Sequence, residues 1–479
     1  MASIPAPAAT AFVSVLLLAT TLPAHTSDTA SPETGASKIR IVRLSEVKGA
    51  VKMDRAIGRG FEPAVANMPI VEKSRLRTDE GIAEVEFEDN STLRLAPDSV
   101  VEFQQLERLA TGATASSVQL LRGMAYVSLV KTRGNAFQLR FNQQTLALEP
   151  GSHIRLELNE AQANLAVLDG TVRVEGPAGT EEIAKKKTMT FHLADQTHPT
   201  VEVGKEIASA PYDEWDQTAT GYHARTAALG ALSSSPYTYG LNDMMYYGSF
   251  MDAGGCGSMW RPYFTSAAWE PFSNGSWAFY QGAGYSWVSP YPWGWTPYHS
   301  GSWSFCPGAG WGWQPGGGWN GLNNASSLIS SGGLMRLQPP PGHAPRPGES
   351  TLTAVNLRPL VQSQVASAES FVFRKDSAGL GIPRDELGKL DKLSRQTVER
   401  GTASTRIYLT APTAMSNGRT MSASVGAVAV HRGYAPSANS FESEPDARSG
   451  SASIGRSSGP SGGMPSRSAG PAPSSGHAK

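Results

Sequence analysis

Cysteine is nearly absent from this chain, with two in 479 residues, Cys256 and Cys306. No CxxC or HxxxH spacing accompanies them, which removes the usual metal-site frameworks. Charge is sparse and balanced, with 41 basic and 41 acidic residues. A nucleic-acid partner normally leaves a basic footprint, and there is none; an anionic membrane surface gains no support either. After the N-terminal leader no run of about eighteen apolar residues occurs, so no membrane span is expected in the mature chain. GxSxG, HExxH, P-loop and strand-bound GxGxxG patterns are missing. No enzyme class is indicated, and neither a cofactor nor a metal is expected.

The chain opens MASIPAPAATAFVSVLLLATTLPAHTSDTA. Its apolar run, Ala11 to Leu22, is too short to span a bilayer and stops at Pro23. Small residues follow at Ala24 and Ala30, so residues 1–30 read as a secretory signal peptide, although the first basic residue is Lys38. The expected location is periplasmic or secreted. In that compartment Cys256 and Cys306 are expected to form one disulfide.

From residue 38 to 205 the pattern has period two. IRIVRL, AEVEFED, TLRLAPDSVVEF, SVQLLRGMAYVSLV, AFQLRF, HIRLELN, ANLAVLDGTVRVEG and TMTFHL alternate apolar with polar residues. In AEVEFED, Val85 and Phe87 share one face while Glu84, Glu86 and Glu88 share the other. Asp169-Gly170 reads as a tight hairpin turn between ANLAVL and TVRVEG. No convincing amphipathic helix interrupts, so the fold class is mainly β, an antiparallel β-sandwich or β-roll.

SRLRTDEGIAEVEFEDNSTLRLAPDSVVEF, LLRGMAYVSL and PGSHIRLELNEAQANLAVLDGTVRVEG together resemble the FecR domain family. The resemblance spans about a third of the chain. It implies an extracytoplasmic β domain that takes part in signalling between a cell-surface receptor and a sigma factor. Regulators of that kind carry a cytosolic segment and a transmembrane helix ahead of this domain; neither is seen here, so direct contact with a sigma factor is not expected.

Residues 206–250 read as a linker, with a short helix carrying Trp215 and Tyr222. Asp213, Glu214 and Asp216 flank that tryptophan and read as solvated rather than cation-binding. Residues 251–320 are different. WEPFSNGSWAFYQGAGYSW and WTPYHSGSWSFCPGAGWGW begin 26 residues apart, and ten of the eleven tryptophans lie from Trp260 to Trp319. Each copy is expected to be a meander of three short strands. Asn274-Gly275 and Ser300-Gly301 would supply its first turn, and the GAG at 282–284 and 308–310 its second. Residues 321–479 read as a low-complexity, largely disordered tail, Ser-, Gly- and Pro-rich from about 435.

So many rings admit two roles. They can be the core of a module poor in Leu, Ile and Val, or an exposed surface that stacks on sugars or peptides. The candidate binding residues are Trp260, Trp269, Trp277, Trp287, Trp295, Trp303, Trp311 and Trp313. His299, which aligns with Ser273 of the first copy, reads as exposed variation. The expected function is a non-enzymatic exported envelope protein whose aromatic module binds a cell-envelope glycan or protein. The alternatives are a regulator acting through a protein partner of the β domain, and an envelope polysaccharide hydrolase. Glu270 is the only acid within the repeats, so a two-carboxylate site built there alone fails.

Overall fold

The computed structural model describes residues 39–324 except 133, 178, 194–199 and 231–236, together with 338–356, 364–367, 370–372, 376–380, 382 and 384. The expected signal peptide and the Ser/Gly/Pro-rich tail lie outside the described residues.

The period-two region forms two sheets around one core. The first sheet runs through Val42–Lys48, Ile82–Glu86 and Thr92–Leu95, then His153–Leu158, Gln162–Asp169, Lys187–His192 and Thr200–Gly204. The second runs through Val51–Asp54, Arg75–Thr78 and Val100–Arg108, then Ala136–Phe141, Gln144–Leu148, Thr171–Gly176 and Gly179–Ala184. Thr114–Ser128 belongs to both. Its first half pairs with Val100–Arg108 and, in parallel, with Ala136–Phe141; its second half pairs with Thr92–Leu95 and His153–Leu158. The change of sheet falls at Gly123, where φ is 91° and a Cβ would lie 2.4 Å from Ser99 Oγ. Strands that switch sheets at a bend make the corners of such sandwiches. Leu44, Val85, Leu93, Val127, Leu156 and Leu165 face inward and are buried.

Asp169-Gly170 does not close a hairpin. Gln162–Asp169 pairs with His153–Leu158 and Lys187–His192, whereas Thr171–Gly176 pairs with Gln144–Leu148 and Gly179–Ala184. The chain therefore crosses from one sheet to the other there. Gly170, at φ 75°, comes so close to Ser152 that a Cβ would sit 2.7 Å from its Cα. The glycine serves the tight crossing, because each flanking strand buries more apolar surface against the opposite sheet than it would in a two-stranded ribbon.

Each tryptophan-rich copy is a two-stranded hairpin rather than a three-stranded meander. Asn274–Tyr280 pairs with Gly284–Val288, and Ser302–Cys306 with Gly310–Gln314. The GAG turns form as expected, with positive φ at Gly282, Gly284, Gly308 and Gly310. Asn274-Gly275 lies inside a strand, and the residues before the second hairpin form a short helix, Thr296–His299. The first hairpin gains Leu352–Asn356 as a third strand, from the stretch read as tail. The second joins Gly257–Pro262 and Gly248–Ala253 in a four-stranded sheet.

Residues read as linker contain two helices, α1 (Asp213–Gly230) and α2 (Leu241–Tyr247). No helix among the described residues is long and apolar enough to cross a membrane.

Candidate functional site

The aromatic repeats build a core. Trp260, Trp269, Trp277, Trp287, Trp303, Trp311 and Trp313 are buried in one cluster with Tyr291, Trp293 and Tyr298. Trp295 is buried where this module meets the sandwich core. Tyr291 and Trp293 stack with centroids 5.0 Å apart, and Trp260 meets Trp293 edge-on, also at 5.0 Å. Several indoles are also satisfied: Trp313 Nε1 donates to Ser300 O at 2.8 Å, Trp303 Nε1 to Pro297 O and Trp277 Nε1 to Gln338 O, both at 3.0 Å. The expected exposed surface of stacked tryptophans is therefore not what these eight residues form. With few aliphatic side chains available, the rings are the only groups large enough to fill the space between the sheets.

The glycines explain the repeat. Gly275 faces the ring of Trp287, and Gly301 faces Trp313; a Cβ on either would fall 2.1 Å and 2.6 Å from indole carbons. Gly248 stands in the same relation to Trp260, with a Cβ 2.3 Å from Cζ2. Each indole lies against a backbone that carries no side chain, so glycine and tryptophan recur together. On the reverse of the four-stranded sheet, Met259 covers Gly312 and packs with Ala253 and Cys306. Cys256 and Cys306 form the expected disulfide there, with Cα atoms 6.0 Å apart.

His299 is buried, not exposed. Its ring centroid lies 4.1 Å from that of Trp295 and it stacks on Trp319, and its Nδ1–H donates to Gly321 O at 2.8 Å. Burial lowers its pKa from 6.5 to about 4.

A second cluster was not legible as a site from the sequence. Glu84 and Glu86, on the polar face of their strand, are fully buried. The outer face of the first sheet carries a row of cross-strand neighbours, Arg155, Tyr126, Arg94 and Glu84, with Arg43 opposite Glu86. Helix α1 lies over that row. Asp213 accepts from Tyr126 Oη at 2.9 Å and Arg155 Nη1 at 2.7 Å. Asp216 pairs with Arg94 and His153, both at 2.7 Å, and His223 reaches Glu84 at 3.0 Å. Residues 213, 216, 220 and 223 recur at helical spacing, the one sequence signal of this polar stripe. Asp213 and Asp216 thus anchor the helix rather than decorate a solvated linker, whereas Glu214 is exposed as expected.

Helix α2 adds Asp243, which pairs with Arg43 at 2.7 Å and accepts from Tyr222 Oη at 2.6 Å. Arg384, from the stretch read as tail, forks onto Asp243 at 3.0 and 2.9 Å and also pairs with Glu84. Burial by itself pushes the Glu84 carboxyl up, but His223, Arg384 and Arg94 outweigh it and hold it well below the usual range. Asp243 is likewise lowered: burial opposes ionisation, and Arg384 and Arg43 overcome it. Arg43 also donates to Pro292 O at 2.6 Å, and Asn67 Nδ2 to Tyr291 O at 2.7 Å, tying the sandwich to the aromatic module. Among the described residues no group of three or more metal-ligating side chains forms a metal site.

No curated protein matches the chain. Two crystal structures of a proposed anti-sigma factor from Parabacteroides distasonis, at 2.50 and 1.65 Å resolution, are similar to part of it. They are 14% and 13% identical, and each match covers 32% of this chain and 73% of the other, with a TM-score of 0.25. Residues 241–328 match a family of unknown function, DUF6600. Residues 74–173 match the family FecR protein, and these strands of the sandwich are therefore a FecR-family region.

Proposed function

We propose that this is an exported envelope protein that works in signalling or scaffolding through a protein partner, without catalysis. The observation that carries the reading is the burial of all eight candidate tryptophans, which leaves them no face for a sugar ring. The FecR-family region supports a signalling context. Contact surface must then come from elsewhere. Phe305 is 49% exposed on an outer strand of the four-stranded sheet, and Met251 is exposed on the strand at the opposite edge. Exposed apolar side chains on unpaired edges are sites for protein association.

Two measurements test this reading. The purified protein should stay in the supernatant when mixed with cell-wall sacculi or insoluble polysaccharide. A photo-crosslinking residue placed at Phe305 or Met251 in the native host should capture a discrete protein band. Pelleting with glycan and no cross-linked band would reverse the choice.

A further inference from the structure

The segment 376–384 belongs to no sheet among the described residues, yet it is held at both ends. Asp376 accepts from the backbone and hydroxyl of Ser266. Trp293 Nε1 donates to Ala378 O at 2.6 Å, and Tyr247 Oη donates to Ile382 O at 2.6 Å. Gly379 lies against Tyr247, where a Cβ would come within 2.8 Å of the ring. Ala378 and Ile382 are buried. Beyond them the Arg384 side chain enters a slot whose walls come from three places: Ser45 and Glu84 of the sandwich, Tyr222 of α1 and Asp243 of α2.

That slot reads a guanidinium group. Asp243 takes Nε and Nη2 as a fork, Glu84 takes Nη1, and Ser45 O accepts from Nη2 at 3.3 Å. The Tyr222 ring lies 5.0 Å from the guanidinium carbon. A planar fork of donors between two carboxylates and an aromatic face is matched by arginine and not by lysine. The slot is acidic, and His223 also faces it, with Nε2 3.0 Å from Glu84. Glu84, Glu86 and Asp243 converge there, while Arg94 is shared with Asp216 and Arg43 is shared between Glu86 and Asp243. Arg384 remains 13% exposed, so the slot opens to solvent.

We propose that this is an arginine-recognition site, filled in cis by Arg384, which an arginine-bearing segment of a protein partner takes in trans by displacing the strap that carries Arg384. The chemistry of that segment is set by the strap it replaces: a turn, closed by Leu380 N donating to Ser377 O and Ile382 N to Gly379 O, with an aliphatic residue two positions before an arginine. Displacement uncovers the carboxylates and the edges of Trp293 and Tyr247 together. The inference deepens the protein-partner reading and rests on it.

The test uses the full chain and a labelled peptide of residues 376–386, DSAGLGIPRDE. Fluorescence anisotropy should show the peptide binding the Arg384→Ala chain at least about tenfold more tightly than the wild-type chain, whose slot is occupied. The same peptide with alanine for its arginine should not bind, and Asp243→Asn added to Arg384→Ala should abolish binding. A folded Arg384→Ala chain, verified by near-ultraviolet circular dichroism, that ignores the peptide overturns the inference. Should that variant fail to fold, hydrogen exchange on the wild-type chain decides: excess peptide should speed exchange across 376–384, and the alanine peptide should not. Equal exchange with both peptides overturns it. Either negative result leaves the cross-linking experiment at Phe305 and Met251 unaffected, so the two readings fail separately.

Discussion

At Gly275 and Gly301 a single methyl group would collide with Trp287 and Trp313. Glycine is required there by the ring above it, and at Gly301 also by φ of 67°. Gly275→Ala is expected to cost about 1–3 kcal/mol by overpacking, and Gly301→Ala more, measured as the loss in denaturant midpoint. Gly282→Ala is the control, since nothing lies within 4 Å of a Cβ there and only its φ of 79° is strained. His299 supplies a pH effect at the same scale. Its folded pKa is depressed, so between pH 6.5 and about 4 the unfolded chain binds a proton that the folded chain refuses. Stability then rises with pH across that window, by about 3 kcal/mol in total. His299→Gln should flatten this part of the stability–pH curve; an unchanged slope would mean that His299 titrates normally.

Among the elements, α1 is distinguished by what holds it. It meets the sandwich through Asp213, Asp216, Thr220 and His223, with acids in its first turn. Removing one member of a buried ion network strands the others, at a cost of roughly 3–5 kcal/mol. Arg94→Met leaves Glu84 and Asp216 without their shared cation, so amide exchange in α1 should accelerate before that of the strands. The carboxylates add an acid limb. Glu84 and Asp243 have folded pKa values below their unfolded ones, so they stabilise above about pH 4 and that stability is lost as pH falls further. The second hairpin depends on its disulfide, whose loop spans 50 residues. Reduction is expected to cost about 4 kcal/mol in the chain-entropy model, and Cys256→Ser with Cys306→Ser should reproduce the loss.

For the molecule as a whole, the sandwich and the aromatic module share buried surface. Trp295, Tyr239, Tyr280 and Val288 pack into the same core as the sandwich strands, and Tyr280 Oη donates to Pro69 O at 2.6 Å. Calorimetry should therefore record one cooperative transition for both parts, with calorimetric and van't Hoff enthalpies equal. Two separated transitions would show independent domains. Deleting residues 251–320 should destabilise the FecR-family region as well, because its core loses the packing of Trp295, Tyr280 and Val288, and Arg43 and Asn67 lose the carbonyl groups of Pro292 and Tyr291.

Period-two alternation alone determined the strands of the sandwich, because backbone pleating puts successive side chains on opposite faces whatever lies beyond them. Glycine spacing likewise determined the two GAG hairpin turns, and the cysteine count the disulfide. Only the tertiary structure decided what covers each face. Glu84 and Glu86 alternate with Val85 as solvent-facing residues do, and become buried because α1 and α2 cover them while Arg43, Arg94 and Arg384 supply the compensating charges. Arg384 lies 300 residues from Glu84 along the chain. The aromatic rings had the same ambiguity: Gly275 meets Trp287 and Gly301 meets Trp313 within one hairpin, but the cluster that buries these rings combines both hairpins with α2 and Ile382, which are distant in sequence.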